Sequence, residues 1–320
     1  MSQLLEEREY YKPFVYPWAF EFYKRQQQMH WLPDEVPLQD DIKDYREKLT
    51  PDNRTLLDNI FKFFTQADVD VCCGYAKHYL PVFKQPEVRM MLVSYAAMEA
   101  VHQEAYSLLL ETLGKSDDMY QEFFDIQAMS EKHEYLTDFN MNTPHEMAKT
   151  MAVYSGFTEG VQLFSSFAIL LNYPRHNLMK GMGQIDTWSI RDESLHVEGL
   201  SKLFRTFIAE NPDIWNDRLK YEIYCAAERV VELEDKFIDV CFDKAEIPDL
   251  TAKEVKEYIR YIADRRLLGL GMKGIFHSTV NPLPWIDMQV NAVEHTNFFE
   301  NRATEYAKAS TQGNWQDIFK

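Results

Sequence analysis

Met91-Leu-Val-Ser-Tyr-Ala-Ala-Met-Glu99-Ala-Val-His102-Gln-Glu-Ala-Tyr106-Ser-Leu-Leu-Leu-Glu-Thr-Leu-Gly114 reads as one buried helix that carries chemistry. No proline interrupts it, Ala, Leu, Met and Glu dominate, and Gly114 followed by Lys115 and Ser116 is a stop signal. Glu99, His102 and Tyr106 stand at steps of three and four, so a carboxylate, an imidazole and a phenol project from one face. Such a polar trio on an apolar helix calls for a chemical reason.

The pattern returns in Trp188-Ser-Ile-Arg-Asp-Glu193-Ser-Leu-His196. With 51 acidic residues and 9 histidines, chance alone accounts for one or two acid-x-x-His pairs, so the spacing decides little by itself. The weight comes from upstream. Asp68 precedes Glu99 by 31 residues and Glu159 precedes Glu193 by 34, each on its own helical stretch. That separation suits two antiparallel helices of about 25 Å joined by a turn, with their midpoints side by side. Two such hairpins predict an all-α fold with a four-helix bundle at its core. Its interior would hold Asp68, Glu99, His102, Glu159, Glu193 and His196, the ligand pattern of ferritin-like di-iron and di-manganese carboxylate bundles.

Composition agrees with one helical body. Of 320 residues only 11 are Gly and 13 Pro, and no low-complexity run divides the chain. A net charge of −17 argues against a nucleic-acid surface. No apolar run reaches the length of a membrane span, and the N-terminus lacks a cleavable apolar signal, so a cytoplasmic protein is expected. Cys72, Cys73, Cys225 and Cys241 lack zinc-type spacing and are expected to be buried thiols.

Along the chain, residues 1–30 form an irregular or partly helical arm, and Pro33 and Pro37 pin Trp31 where the globular body begins. Thr50-Pro51 opens a helix expected to reach about Tyr79. In it Phe61, Phe64 and Asp68 share a face, while Asp70 points elsewhere. Thr143-Pro144 starts a helix expected to run unbroken through Glu159 to Leu171. Glu159 is the one charge between Thr150 and Leu171, and a lone carboxylate there costs several kcal/mol unless paired, protonated or metal-bound. The next helix spans Leu178 to Leu203, and amphipathic stretches at 212–243 and 251–268 look structural, with Glu198 and Glu234 left on solvated or packing faces. Residues 1–306 form the expected folded domain. The stretch 307–320 is expected to be a flexible tail whose Trp315, Ile318 and Phe319 suit capture by a partner's groove.

Hard oxygen donors with two nitrogens favour iron or manganese, and two metals with open positions between them suit oxygen chemistry. Tyr106, one turn past His102, could store an oxidising equivalent as a tyrosyl radical in a dry pocket, with Leu163 and Phe167 as its expected walls. Met-Glu-Ala-Val-His-Gln-Glu-Ala-Tyr, Arg-Asp-Glu-Ser-Leu-His, Phe-Phe-Thr-Gln-Ala-Asp, Trp-Leu-Pro-Asp-Glu-Val and Asn-Phe-Phe-Glu-Asn-Arg-Ala-Thr-Glu-Tyr together resemble the radical-generating small subunit of class I ribonucleotide reductase, over residues 28–306 in the expected order.

That resemblance implies a homodimer with a di-iron-oxo centre on Asp68, Glu99, His102, Glu159, Glu193 and His196, with di-manganese or a mixed manganese/iron pair as the variants. Tyr106 becomes the radical site, formed with molecular oxygen, and its presence argues against the subgroup that replaces this tyrosine. Trp31 and Asp192, with His102, become the relay toward a large catalytic subunit, onto which the tail docks. The family's tail carries a redox-active tyrosine and residues 307–320 have none, which leaves Tyr306 or Trp315 for the last step. Two rivals share the bundle: a di-iron acyl desaturase or hydroxylase acting on its own substrate, and a metal store. Neither has a use for a relay or a docking tail.

Overall fold

The computed structural model describes residues 2–137 and 139–290, and among them there is no strand. The tail at 307–320, Trp315, Tyr306 and the expected boundary at 306 lie outside the described residues. The chain divides into two compact units, Met1–Leu283 and Pro284–Lys320. The second is described over 284–290, which are helical.

The first unit opens with an arm and α1 (Pro17–Gln28), which packs along the central helix. The short α2 (Gln39–Lys43) supplies buried Asp41, whose carboxylate accepts the Gly181 and Met182 amides at 3.0 and 2.6 Å and so caps a later helix. α3 (Pro51–Gly74) starts as its sequence dictates, with Thr50 accepting from the Asn53 amide and Pro51 in the first turn. A wide π turn at Tyr75–Tyr79 ends it. α4 (Pro86–Leu113) is the central helix, and Gly114 closes it at φ 78°, a conformation that glycine adopts without a Cβ penalty.

Two connecting helices follow, α5 (Met119–Glu122) and α6 (Gln127–Thr137). α7 (Pro144–Val153) begins with a reciprocal Thr143–Glu146 cap. The unbroken helix expected from here to Leu171 is not what forms. A π turn at Tyr154–Thr158 and an open turn at 159–163 separate α7 from α8 (Phe164–Leu170). The backbone folds so tightly there that a Cβ on Gly160 would lie 2.3 Å from the Gly156 carbonyl, and Arg266 Nε donates to the Gly160 carbonyl at 2.9 Å. Glu159 sits in this break, where π geometry often marks a functional site.

After α9 (Asn172–Arg175) comes α10 (Lys180–Glu210), followed by α11 (Asp217–Cys241) and α12 (Ala252–Gly269). α3 packs on α4, and α10 packs on both α4 and α7, which gives the expected bundle. Two expectations need correction. Cys72, Cys73 and Cys225 are only partly buried, because they lie at the margins of the α3 and α11 packing faces, and Cys241 alone is buried. Glu234 is fully buried and ion-paired at 2.5 Å with Lys132, itself fully buried over the Phe63 and Phe237 rings.

Candidate metal centre

Each helix of the bundle delivers its share to one point. Asp68 comes from α3, Glu99 and His102 from α4, Glu159 from the turn after α7, and Glu193 and His196 from α10; none is more than 1% exposed. Ligand atoms of Asp68, Glu99 and His102 lie within 4.8 Å of one another, as do those of Glu99, Glu193 and His196. Glu99 belongs to both groups. Glu159 reaches the second, with Oε2 3.8 Å from His196 Nδ1. By contrast Asp70 turns away and pairs with His133 at 2.5 Å.

Both histidines present Nδ1 inward. His102 Nδ1 is 3.5 Å from Glu99 and 3.4 Å from Glu193, and His196 Nδ1 is 3.0 Å from Glu99. Their Nε2 atoms face outward to different partners. His102 Nε2 lies 3.3 Å from Asp192 Oδ2, which also accepts the Trp31 indole N–H at 2.8 Å. His196 Nε2 lies 3.1 Å from the side-chain oxygen of Gln26, whose amide nitrogen donates to Asp192 Oδ1 at 3.3 Å. An ionised carboxylate only accepts, so it orients the Gln26 amide, which leaves the oxygen for His196 and fixes the proton of each imidazole on Nε2. Gln26 had no signal in the sequence: it is one of three consecutive glutamines on α1, and only the docking of α1 on α4 and α10 selects it.

The charge balance is unfavourable without cations. Burial drives the Asp68 and Glu159 carboxyls well above their ordinary range, and burial and Glu99 also raise Glu193. Glu99 goes the other way: burial opposes its charge, but the His102 and His196 imidazoles beside it hold it down to about 2. Asp68 Oδ2 and both carboxylate oxygens of Glu99, Glu159 and Glu193 are buried without a hydrogen-bond partner. Seven orphaned acceptors around two inward imidazole nitrogens fit a pair of hard divalent cations, and no cysteine joins the set.

Tyr106 is fully buried beside this cluster. Leu163 and Phe167 are buried as expected, but the ring directly against Tyr106 is Phe64, stacked at 4.5 Å and 10°, with Phe167 behind it at 4.9 Å. The phenol donates to Asp186 Oδ1 at 2.8 Å, a partner that sequence spacing did not suggest. Trp31 is 2% exposed, stacks on His102 at 5.9 Å, and meets partly exposed Trp188 at 5.1 Å.

Comparison with known proteins places this geometry in a family. The family model described as ribonucleotide reductase, small chain, matches residues 8–282. A protein of Invertebrate iridescent virus 6, named a probable ribonucleoside-diphosphate reductase small subunit, is 44% identical over 99% of this chain and 98% of its own. Among solved structures, the ribonucleotide reductase R2 subunit from Clostridium botulinum is 24% identical, with a TM-score of 0.80 over 86% of this chain and 88% of that one. The Rnr4 homodimer of Saccharomyces cerevisiae is 20% identical, with a TM-score of 0.71 over 86% and 87%. The last two show the shared fold; the family model and the viral relative show that the chain belongs to the ribonucleotide reductase small-chain family.

Proposed function

We propose that this ribonucleoside-diphosphate reductase small subunit uses Asp68, Glu99, His102, Glu159, Glu193 and His196 to hold two iron ions, and stores an oxidising equivalent on Tyr106. Di-manganese is the variant that the same donors accommodate. When bound, the metal pair supplies the oxidising power, drawn from molecular oxygen, to convert Tyr106 to a tyrosyl radical. The observation that carries this reading is the set of seven unpartnered carboxylate oxygens in a dry interior, with a fully buried phenol one helical turn past the ligand His102.

The chain's own residues do the rest. Phe64 and Phe167 keep water from the phenol, which prolongs the life of an oxidised ring. His102, Asp192 and Trp31 form a continuous hydrogen-bonded path from the ligand set to the base of the N-terminal arm, a route for an electron and a proton toward the large subunit. Arg191, donating to the Met29 carbonyl at 2.6 Å and 3.6 Å from Asp192, steadies that carboxylate. Val69 on α3 and Val93, Ala97 and Ala100 on α4 are exposed, an apolar face that supports a homodimer. The tail at 307–320 is the proposed docking segment for the large subunit.

The test is to add ferrous iron and oxygen, with a parallel manganese arm, to the metal-free protein. A tyrosyl absorbance and paramagnetic signal is expected, and it disappears in Tyr106→Phe. A signal that survives this substitution assigns the radical elsewhere.

A further inference from the structure

We infer that Asp186 is the base that takes the phenolic proton when Tyr106 is oxidised, and the acid that returns it on re-reduction. The inference rests on Tyr106 being the oxidised residue. It starts from a carboxylate that the ligand set does not use. Asp186 stands on α10 two turns before Glu193, about 10 Å along the axis, and so outside the metal cluster. It is fully buried, it accepts the Tyr106 O–H at 2.8 Å, and Oδ2 has no hydrogen-bond partner. Among the described residues it makes no ion pair.

An ionised carboxylate in such a place is held at a cost of several kcal/mol. Burial pushes the Asp186 carboxyl well above its ordinary range, and although the Tyr106 hydrogen bond opposes this, Asp41 adds to it. Asp186 is therefore a stronger base here than in water. The phenol is likewise hard to ionise alone, since burial and the Asp186 charge both raise it. The two groups relieve each other only when an electron leaves. Tyr106 gives one electron to the oxidant derived from dioxygen, its Oη–H bond breaks, and an O–H bond forms at Asp186 Oδ1. A phenol and a carboxylate with one negative charge become a neutral phenoxyl radical and a neutral carboxylic acid. The buried charge departs with the electron, and no water has to enter. Re-reduction runs the same exchange backwards, with the new acid hydrogen-bonded to the phenoxyl oxygen in the meantime.

The experiment uses the full chain loaded with ferrous iron, exposed to dioxygen in H2O or D2O, and read by electron-nuclear double resonance and stopped-flow absorbance. The wild-type radical is expected to show one exchangeable deuteron hydrogen-bonded to the phenoxyl oxygen. Asp186→Leu loses it. Asp186→Asn keeps a donor but cannot take a proton, so its radical forms about 100-fold more slowly. A wild-type radical without the exchangeable deuteron overturns the inference whether or not either variant folds, as does a wild-type formation rate in Asp186→Asn. A wild-type protein that forms no radical on Tyr106 refutes the parent reading instead.

Discussion

Replacing Gln26 by Met separates the two halves of the metal centre. The substitution conserves volume in a fully buried position and removes both hydrogen bonds of the amide. The consequences differ between the histidines. His196 Nε2 loses the partner that it has at 3.1 Å, whereas His102 Nε2 keeps Asp192 at 3.3 Å. Loss of such an outer partner typically lowers metal affinity 10- to 100-fold, about 1.4 to 2.8 kcal/mol, because the imidazole is freed to rotate or change tautomer. Anaerobic calorimetric titration of the metal-free protein with ferrous or cobaltous ion should therefore show two tight equivalents in wild type, and one tight and one weakened equivalent in Gln26→Met. Gln26→Glu, which can still accept from His196 but cannot donate to Asp192, should weaken the second equivalent less. Superimposable wild-type and Gln26→Met isotherms would refute the argument that this amide sets the tautomer of His196.

Trp31→Phe removes the 2.8 Å indole bond to Asp192 while replacing no proposed ligand and keeping an aromatic ring against His102, so metal content and radical yield should persist while turnover with the large subunit falls to background; normal turnover would remove Trp31 from the path. Lys132→Met leaves Glu234 buried with Ser165 as its remaining hydrogen-bond partner, and should cost about 3–5 kcal/mol in urea unfolding, largely recovered in the Lys132→Met/Glu234→Leu double variant. Gly199→Ala places a methyl 2.2 Å from the Tyr95 hydroxyl, whose ring lies 4.3 Å from His196; a stability loss of about 1–3 kcal/mol with a weakened second metal equivalent is expected, and intact binding would show that Tyr95 can yield elsewhere. Loading metal at 100 times its Kd should stabilise the fold by about 2.7 kcal/mol per site, read as a rise in Tm that chelation reverses.

The bundle and its six inward polar residues were legible because they obey local rules. A helix projects residues three and four apart from one face, and paired helices of this length align residues about thirty apart, so Glu99, His102, Glu193 and His196 with Asp68 and Glu159 could be placed together from spacing alone. The capping residues Thr50, Thr143 and Gly114 act within one turn and were equally readable. The break at Glu159 was not. There Arg266, over a hundred residues away, donates to the Gly160 carbonyl, a contact that no local pattern announces.

The same division explains the partners that the sequence left unmarked. Asp186 is one acid among 51, and Gln26 one of three adjacent glutamines, until α1 and α10 dock against α4. Sequence alone determined that Asp68, Glu99, His102, Glu159, Glu193 and His196 face inward, since that follows from helical period and burial preference. Tertiary structure decided which of them touch, because a hydrogen bond between residues 80 or 170 positions apart depends on the packing angle and depth of separate helices, which no local pattern encodes.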